Sequence, residues 1–293
     1  MKRLSFLLAA TVAACSSSNP PCDVDGDCAV GEACSAEHTC GTKDGGALEP
    51  APDTLAACTP NHDGTITRAE IAIVVPTSVT YRTSTETMVD LAGTADPTDA
   101  TARVWDLSGA LTGDHDMDVE TLPVAGTWYA SKFPDGLFAS PLTVSGIVLT
   151  AIYANGDADS VVIQGAVSDA DGLTRSELTY SPPLPAFTFP MSVGNSTTGT
   201  STLSGLLSGV PTLVSVSWTQ TVDASGTMVT PYGTFPVLRT RLDLVQNEGP
   251  VVITTHTYAF VAECYGAVAK VQSKPYELTE EFTTASEVSR LAP

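Results

Sequence analysis

Cationic side chains are scarce in this 293-residue chain: 13 Lys and Arg stand against 33 Asp and Glu, a formal net charge of -20. Phosphate recognition needs clustered Lys and Arg, so that imbalance excludes an electrostatically driven nucleic-acid partner. Histidine is scarcer still, and three of the four, His38, His62 and His115, fall in turn-like or loop-like segments. A Ser–His–Asp arrangement therefore has His256 as its single scaffold candidate. No G-x-S-x-G, H-E-x-x-H, P-loop or dinucleotide fingerprint occurs, and nothing among the 33 acids singles out a pair for glycoside chemistry. No catalytic residue is assigned, and the expectation is a protein that is not an enzyme. Aromatics make up only 6% and charged residues 16% of the chain, whereas Gly (23) and Pro (20) are plentiful. With 43% hydrophobic residues to build a core, that profile fits a β-rich, turn-rich exported protein.

Long apolar runs are also missing. Lys2 and Arg3 precede the short apolar stretch Leu4 to Ala10, which cannot cross ~30 Å of hydrocarbon and reads as a signal segment. The sequence Val12-Ala13-Ala14-Cys15 resembles a bacterial lipobox. The resemblance implies cleavage after Ala14 and lipidation of Cys15, where several acyl chains at ~0.8 kcal/mol per methylene make a durable anchor. Ser16, in place of Asp, implies delivery to the outer membrane. The alternative is an ordinary secretory peptide that leaves Cys15 as a free thiol.

Seven cysteines are an odd number, and assigning Cys15 to lipid leaves six. In an exported chain six read as three disulfides. Cys22, Cys28, Cys34 and Cys40 are evenly spaced in PCDVDGDCAVGEACSAEHTCG. This resembles the short C-x5-C runs of exported myxobacterial proteins, which implies a small disulfide knot. Zinc would favour cysteines two to four apart, and these are not. Residues 41–57 have linker composition, GTKDGGALEPAPDTLAA. The remaining pair is Cys58 with Cys264, a closure worth about 5 kcal/mol in the chain-entropy model. Otherwise Cys58 joins the amino-terminal knot and Cys264 stays free.

One segment has calcium-ligand spacing. Thr59 to Glu70, TPNHDGTITRAE, resembles a twelve-residue EF-hand loop. The resemblance puts Asn61, Asp63 and Thr67 at side-chain ligand positions, Gly64 at the sharp turn, Thr65 at the carbonyl position and Glu70 at the bidentate position. Thr59 stands where that family has Asp, which leaves two carboxylates and implies weak binding, in the ~10⁻⁴–10⁻³ M class. The flanks do not form helices, since prolines precede the loop and the β-branched run Ile71 to Val75 predicts a strand after it. The competing reading is a plain Asp-Gly turn. A second acidic group, Asp114, Asp116 and Asp118, lacks the glycine and reads as a solvated loop.

From residue 71 to 293 strand signals dominate. Val214, Val216, Trp218 and Val222 alternate with Ser and Thr, and two apolar runs flank NGDAD as a hairpin. Pro236 inside an apolar run predicts an edge or a bulge. Turn signals every ten to fifteen residues predict an all-β domain built on a large antiparallel sheet, as a sandwich or an open barrel. The last residues, YELTEEFTTASEVSRL, read as a strand or a short helix. The stretch VDASGTMVTPYGTFPVLRTRLDL, followed by THTYAFVAECYGAVAKVQS, resembles the half-open β-sheet of periplasmic lipoprotein carriers. The organisation as a whole resembles uncharacterised myxobacterial lipoproteins.

The expected domains are therefore 1–14 signal, 15–40 lipidated Cys-rich segment, 41–57 linker, 58–70 EF-like loop and 71–293 β-domain. The leading function is a lipid-anchored envelope protein of structural or interaction role, with calcium as its cofactor and the membrane as its partner. A carrier of an apolar ligand and a hydrolase centred on His256 are the alternatives.

Overall fold

The computed structural model describes residues 58–293, apart from 72, 98, 100, 145, 146, 158 and the side chains of 143 and 144, together with the backbone of 32–34 and 40–42. Two compact units divide the chain, Met1–Glu49 and Pro50–Pro293. In the first, β1 (Glu32–Cys34) and β2 (Cys40–Thr42) pair antiparallel, with Cys34 in register opposite Cys40. Cys15, Cys22 and Cys28 lie outside the described residues, as does residue range 43–57.

The second unit begins with β3 (Thr65–Ile66), a single 3-10 turn (Arg68–Glu70), β4 (Thr77–Met88), β5 (Thr94–Ala95), β6 (Arg103–Asp106) and β7 (His115–Thr121). It continues with β8 (Gly136–Val144), β9 (Ile147–Asn155), β10 (Ser160–Val167), β11 (Glu177–Thr188), β12 (Met191–Ser192) and β13 (Ser196–Leu207). The last strands are β14 (Val210–Val229), β15 (Thr234–Glu248), β16 (Val251–Ala262), β17 (Gly266–Ser273) and β18 (Thr284–Leu291).

Twelve of these strands follow one another around a sheet in the order β7-β4-β18-β17-β16-β15-β14-β13-β11-β10-β9-β8. All pairs along that path are antiparallel, and the one parallel pair is β6 against the second half of β14. Leu122, just after β7, and Ala139 of β8 exchange two 2.8 Å backbone hydrogen bonds, so the two ends of the sheet meet. The result is a nearly closed barrel, which removes most of the exposed edge that an open sheet would carry.

Period-two side-chain alternation assigns the faces. One apolar cluster joins Phe138, Val161 and Phe189 to Val222, Leu238 and Val261, from strands far apart in the sheet order, so it fills the barrel. A second joins Leu149, Ile163, Leu178 and Tyr180 to Val214 and Val216, with Trp218 and Leu244 packed against it. A third is local: Tyr129 and Phe133, from the segment before β8, cover the outward residues Ile152 and Val167. The alternation expected for residues 213–222 is present, with Val214, Val216 and Val222 buried and Ser215 and Ser217 exposed.

Three sequence expectations gain definition. The runs on either side of NGDAD form the antiparallel pair β9–β10. Pro236 is paired only on its β14 side, because β16 joins β15 from Leu238 onward; the missing amide hydrogen costs no ladder bond there. The carboxy-terminal segment ends in strand β18, between β17 and β4.

Two expectations are corrected. Asp114 stays in the turn, where it pairs with Arg290 at 2.7 Å, but Asp116 and Asp118 are not in a loop: the segment His115–Thr121 is strand β7. Its acids alternate to one side and find partners on β4, where Arg82 donates to Asp116 at 2.8 Å and Thr80 to Asp118 at 2.8 Å. Nor does Ile71 to Val75 form a strand. Ile71, Ile73 and Val75 instead turn into the barrel-filling cluster, where burying three aliphatic chains outweighs their β-propensity.

Candidate functional site

Because the strands alternate in direction, their connections gather at two ends. The turns before β10, at β12, before β15 and before β17 share one end, here the plug end. The segment 58–71 closes it. Ile66 and Ile71, 3% and 5% exposed, reach into the barrel-filling cluster, and β3 pairs with β12 through Ile66–Met191 and Thr65–Ser192. Cys58 and Cys264 form a disulfide, which resolves the alternatives the sequence left for these two residues. The Cys264 amide also donates to the Glu70 carbonyl at 2.7 Å.

Within the plug, the residues with calcium-ligand spacing are brought together. Asn61 Oδ1 accepts from the Asp63 amide at 2.9 Å, and Asp63 Oδ1 accepts from the Thr65 amide at 2.8 Å. Gly64 turns the backbone at φ +81°, which a side chain there would strain. The Glu70 carboxylate closes the ring from the other side. It accepts from Asn61 Nδ2 at 2.7 Å and from both the amide and the hydroxyl of Thr67 at 2.8 Å. Glu70 thereby caps the 3-10 turn, as a capping box does. Thr59 is exposed. The donor set, two carboxylates, an amide oxygen, a carbonyl and a hydroxyl, is all oxygen and suits a hard cation. Among the described residues, no three or more His, Cys, Asp and Glu side chains gather as a metal cluster.

Sequence reading missed a contributor. Glu263, in the turn before β17, accepts the amides of Asn61 at 2.7 Å and His62 at 3.1 Å through a carboxylate only 9% exposed. It is a long-range acid holding the entrance of the loop through the Asn61 and His62 amides. Its signal was adjacency: it precedes Cys264, the expected partner of the cysteine that opens the loop. A cavity of about 130 Å³ lies beside it, lined by His62, Gly64, Glu263, Gly226 and Pro236 among others.

His256 lies elsewhere, beneath the connection from 274 to 283. Its ring is 7% exposed and Nδ1 meets Asp243 at 2.6 Å. Nε2 is buried without a hydrogen-bond partner, so no described hydroxyl or thiol sits where a nucleophile would. The acid–base pair belongs to a row of charges on the outward face of β15. Arg241 joins Asp243 at 3.0 Å and Glu280 at 2.6 Å, while Arg239 joins Asp223 at 2.8 Å and Glu281 at 2.9 Å. Arg239 also lies 4.8 Å over the ring of Tyr258. With Phe282 buried beneath, these contacts fasten the 274–283 connection to the barrel wall.

On the inner face, Trp218 and Leu244 are register partners and only half-buried. The Trp218 indole Nε1 is buried with no acceptor.

No family model matches the chain, and no curated protein matches it. Among solved structures it is similar to a candidate exported protein with a YmcC-like fold from Bacteroides fragilis, at 14% identity and a TM-score of 0.35, over 80% of this chain and 96% of that one.

Proposed function

We propose that this chain is a lipid-anchored protein of the bacterial cell envelope, held at the outer membrane through Cys15, with a structural or interaction role rather than a catalytic one. Its barrel carries a plug that calcium stiffens. The observation that carries this reading is the ring of Asn61, Asp63, Thr65, Thr67 and Glu70, drawn closed by the Glu70 carboxylate and tied to the wall beside the Cys58–Cys264 disulfide. A disulfide of that kind persists in an oxidising compartment, which supports export. Calcium bound there would replace the Asn61 and Thr67 contacts of Glu70 with a single central charge and lock the plug against opening. The mature chain, without Lys2 and Arg3, carries 11 cations and 33 acids, or -22, a field that attracts divalent cations.

Fractionation of cells producing the native chain and Cys15→Ala tests the anchor. The native chain is expected in the membrane fraction with a mature mass that includes the acyl chains, and the variant in the soluble envelope fraction. A native chain that is soluble and unmodified would overturn the anchoring.

A carrier of an apolar ligand is the second reading, and Trp218 favours it: a half-buried indole on the inner face with an unpaired N–H. A brominated fatty acid bound inside the barrel would quench native emission, and Trp218→Phe would remove that quenching. Emission unaffected by the brominated acid would dispose of this reading.

A further inference from the structure

The barrel end opposite the plug has a surface of a different kind. Six connections reach it: those after β4, β8, β10, β13, β15 and β17. At or beside each, a bulky apolar side chain faces solvent: Met88 (79% exposed), Val148 (71%), Val210 (62%) and Val252 (51%) at strand ends, and Leu173 (99%) and Leu278 (83%) in connections. Of the fifteen large apolar residues exposed among the described residues, ten lie at this end, so the asymmetry is not the ordinary scatter of surface aliphatics.

We infer that this end docks onto a lipid bilayer surface of zwitterionic headgroups, by immersing the separate aliphatic tips. Three observations choose that occupant. The tips are nearly all Val, Leu, Ile and Met, with Tyr276 the one aromatic, whereas protein interfaces concentrate their binding energy in Trp, Tyr and Arg. They also stand at six separate places around the barrel end, four on strand ends and two on connections; hydrocarbon can surround each tip singly, while a protein partner must match them all at once. Finally, charge argues against a second copy and against anionic lipid. Apart from Glu280 and Glu281, which Arg241 and Arg239 pair against the wall of β15, this rim holds four acids (Asp169, Asp171, Glu248 and Glu277) against two cations (Arg175 and Lys274). Two such rims would repel each other face to face, and so would a phosphatidylglycerol surface.

The anchor does not prevent this contact. Cys15 and Cys58 are 43 residues apart (58 minus 15); with residues 32–42 folded back as β1 and β2, the remaining contour is up to about 110 Å, against about 50 Å for the length of β15. The inference is independent of lipidation at Cys15, and its test uses the chain that begins at Ser16, which carries no acyl group.

Cosedimentation with sucrose-loaded vesicles tests it. The chain is expected to sediment with phosphatidylcholine vesicles, and less with phosphatidylglycerol vesicles at low salt, the deficit shrinking as salt is added. Combining Met88→Ser, Leu173→Ser and Leu278→Ser should lower the partition coefficient by at least about tenfold. Leu173→Ser alone, at a position 99% exposed, should lower it measurably with the fold intact by circular dichroism. Val193→Ser, at the plug end and 52% exposed, should leave it unchanged. Absence of sedimentation with either vesicle would overturn the inference, as would equal effects of Val193→Ser and Leu173→Ser. Concentration-dependent association without lipid, abolished by the triple substitution, would overturn it in favour of a second copy.

Discussion

The amide of Cys264 donates a 2.7 Å hydrogen bond to the carbonyl of Glu70, so the residue that closes the acidic ring is fastened to the residue that closes the disulfide. Plug and barrel wall are thus held by a covalent link and a backbone bond at the same point.

Replacing both Cys58 and Cys264 by Ser should destabilise the barrel by about 2–5 kcal/mol, since the link closes a loop of 206 residues. Urea unfolding followed by tryptophan emission measures it. An unchanged midpoint would mean that the plug is held by its apolar contacts alone.

Glu263→Ala leaves the amides of Asn61 and His62 without their acceptor. Both amides are exposed and water can reach them, so the expected cost is about 0.5–1.5 kcal/mol, accompanied by weaker calcium binding because the loop entrance is no longer positioned. Calorimetric titration of the variant against the native chain checks both in one experiment. Equal calcium affinity would confine Glu263 to a purely structural part.

Thr59→Asp restores the acid that the EF-hand pattern has at its first position. Calcium affinity should rise by about tenfold or more, because charge count is what tunes such loops. Titration at constant ionic strength is the measurement, and an affinity no tighter than native would contradict the ligand assignment.

Arg290 is fully buried, with its guanidinium on Asp114 at 2.7 Å and on the carbonyls of Leu107 at 2.7 Å and Gly109 at 3.1 Å. Burial disfavours the Asp114 carboxylate, but hydrogen bonds from Arg290 and from the Leu111 amide outweigh it and hold the group below its usual 3.8. A carboxylate depressed in the folded state contributes stability above its unfolded value and loses it as pH falls through the folded one. Acid unfolding should therefore steepen below about pH 4, and Asp114→Asn should flatten that part of the curve. Arg290→Met, which leaves the partly buried Asp114 carboxylate without its ion-pair partner, should cost about 1–3 kcal/mol in urea.

Much of the wall was legible in the sequence because period two is a local signal: Val214, Val216 and Val222 announce which way β14 faces. The cystine was legible by parity, and the ring by spacing. Closure of the sheet was not, because it depends on Leu122 meeting Ala139 at the far end of the strand order, and neither residue is marked by type. Ile71 to Val75 misled because β-propensity describes a pleated surface with partners on both sides, and this run found a barrel mouth to fill instead. The acids of β7 misled in the opposite direction. Asp116 and Asp118 look like a loop until Arg82 and Thr80 stand across from them. The aliphatic tips are individually unremarkable residues; only the shared direction of the turns makes them a surface.

Thermal unfolding of the native chain in millimolar calcium and in excess chelator tests the central claim, that calcium stiffens the plug, most directly. A melting temperature higher in calcium than in chelator is expected, with the difference abolished in Glu70→Gln. Superimposable curves with and without calcium would contradict it.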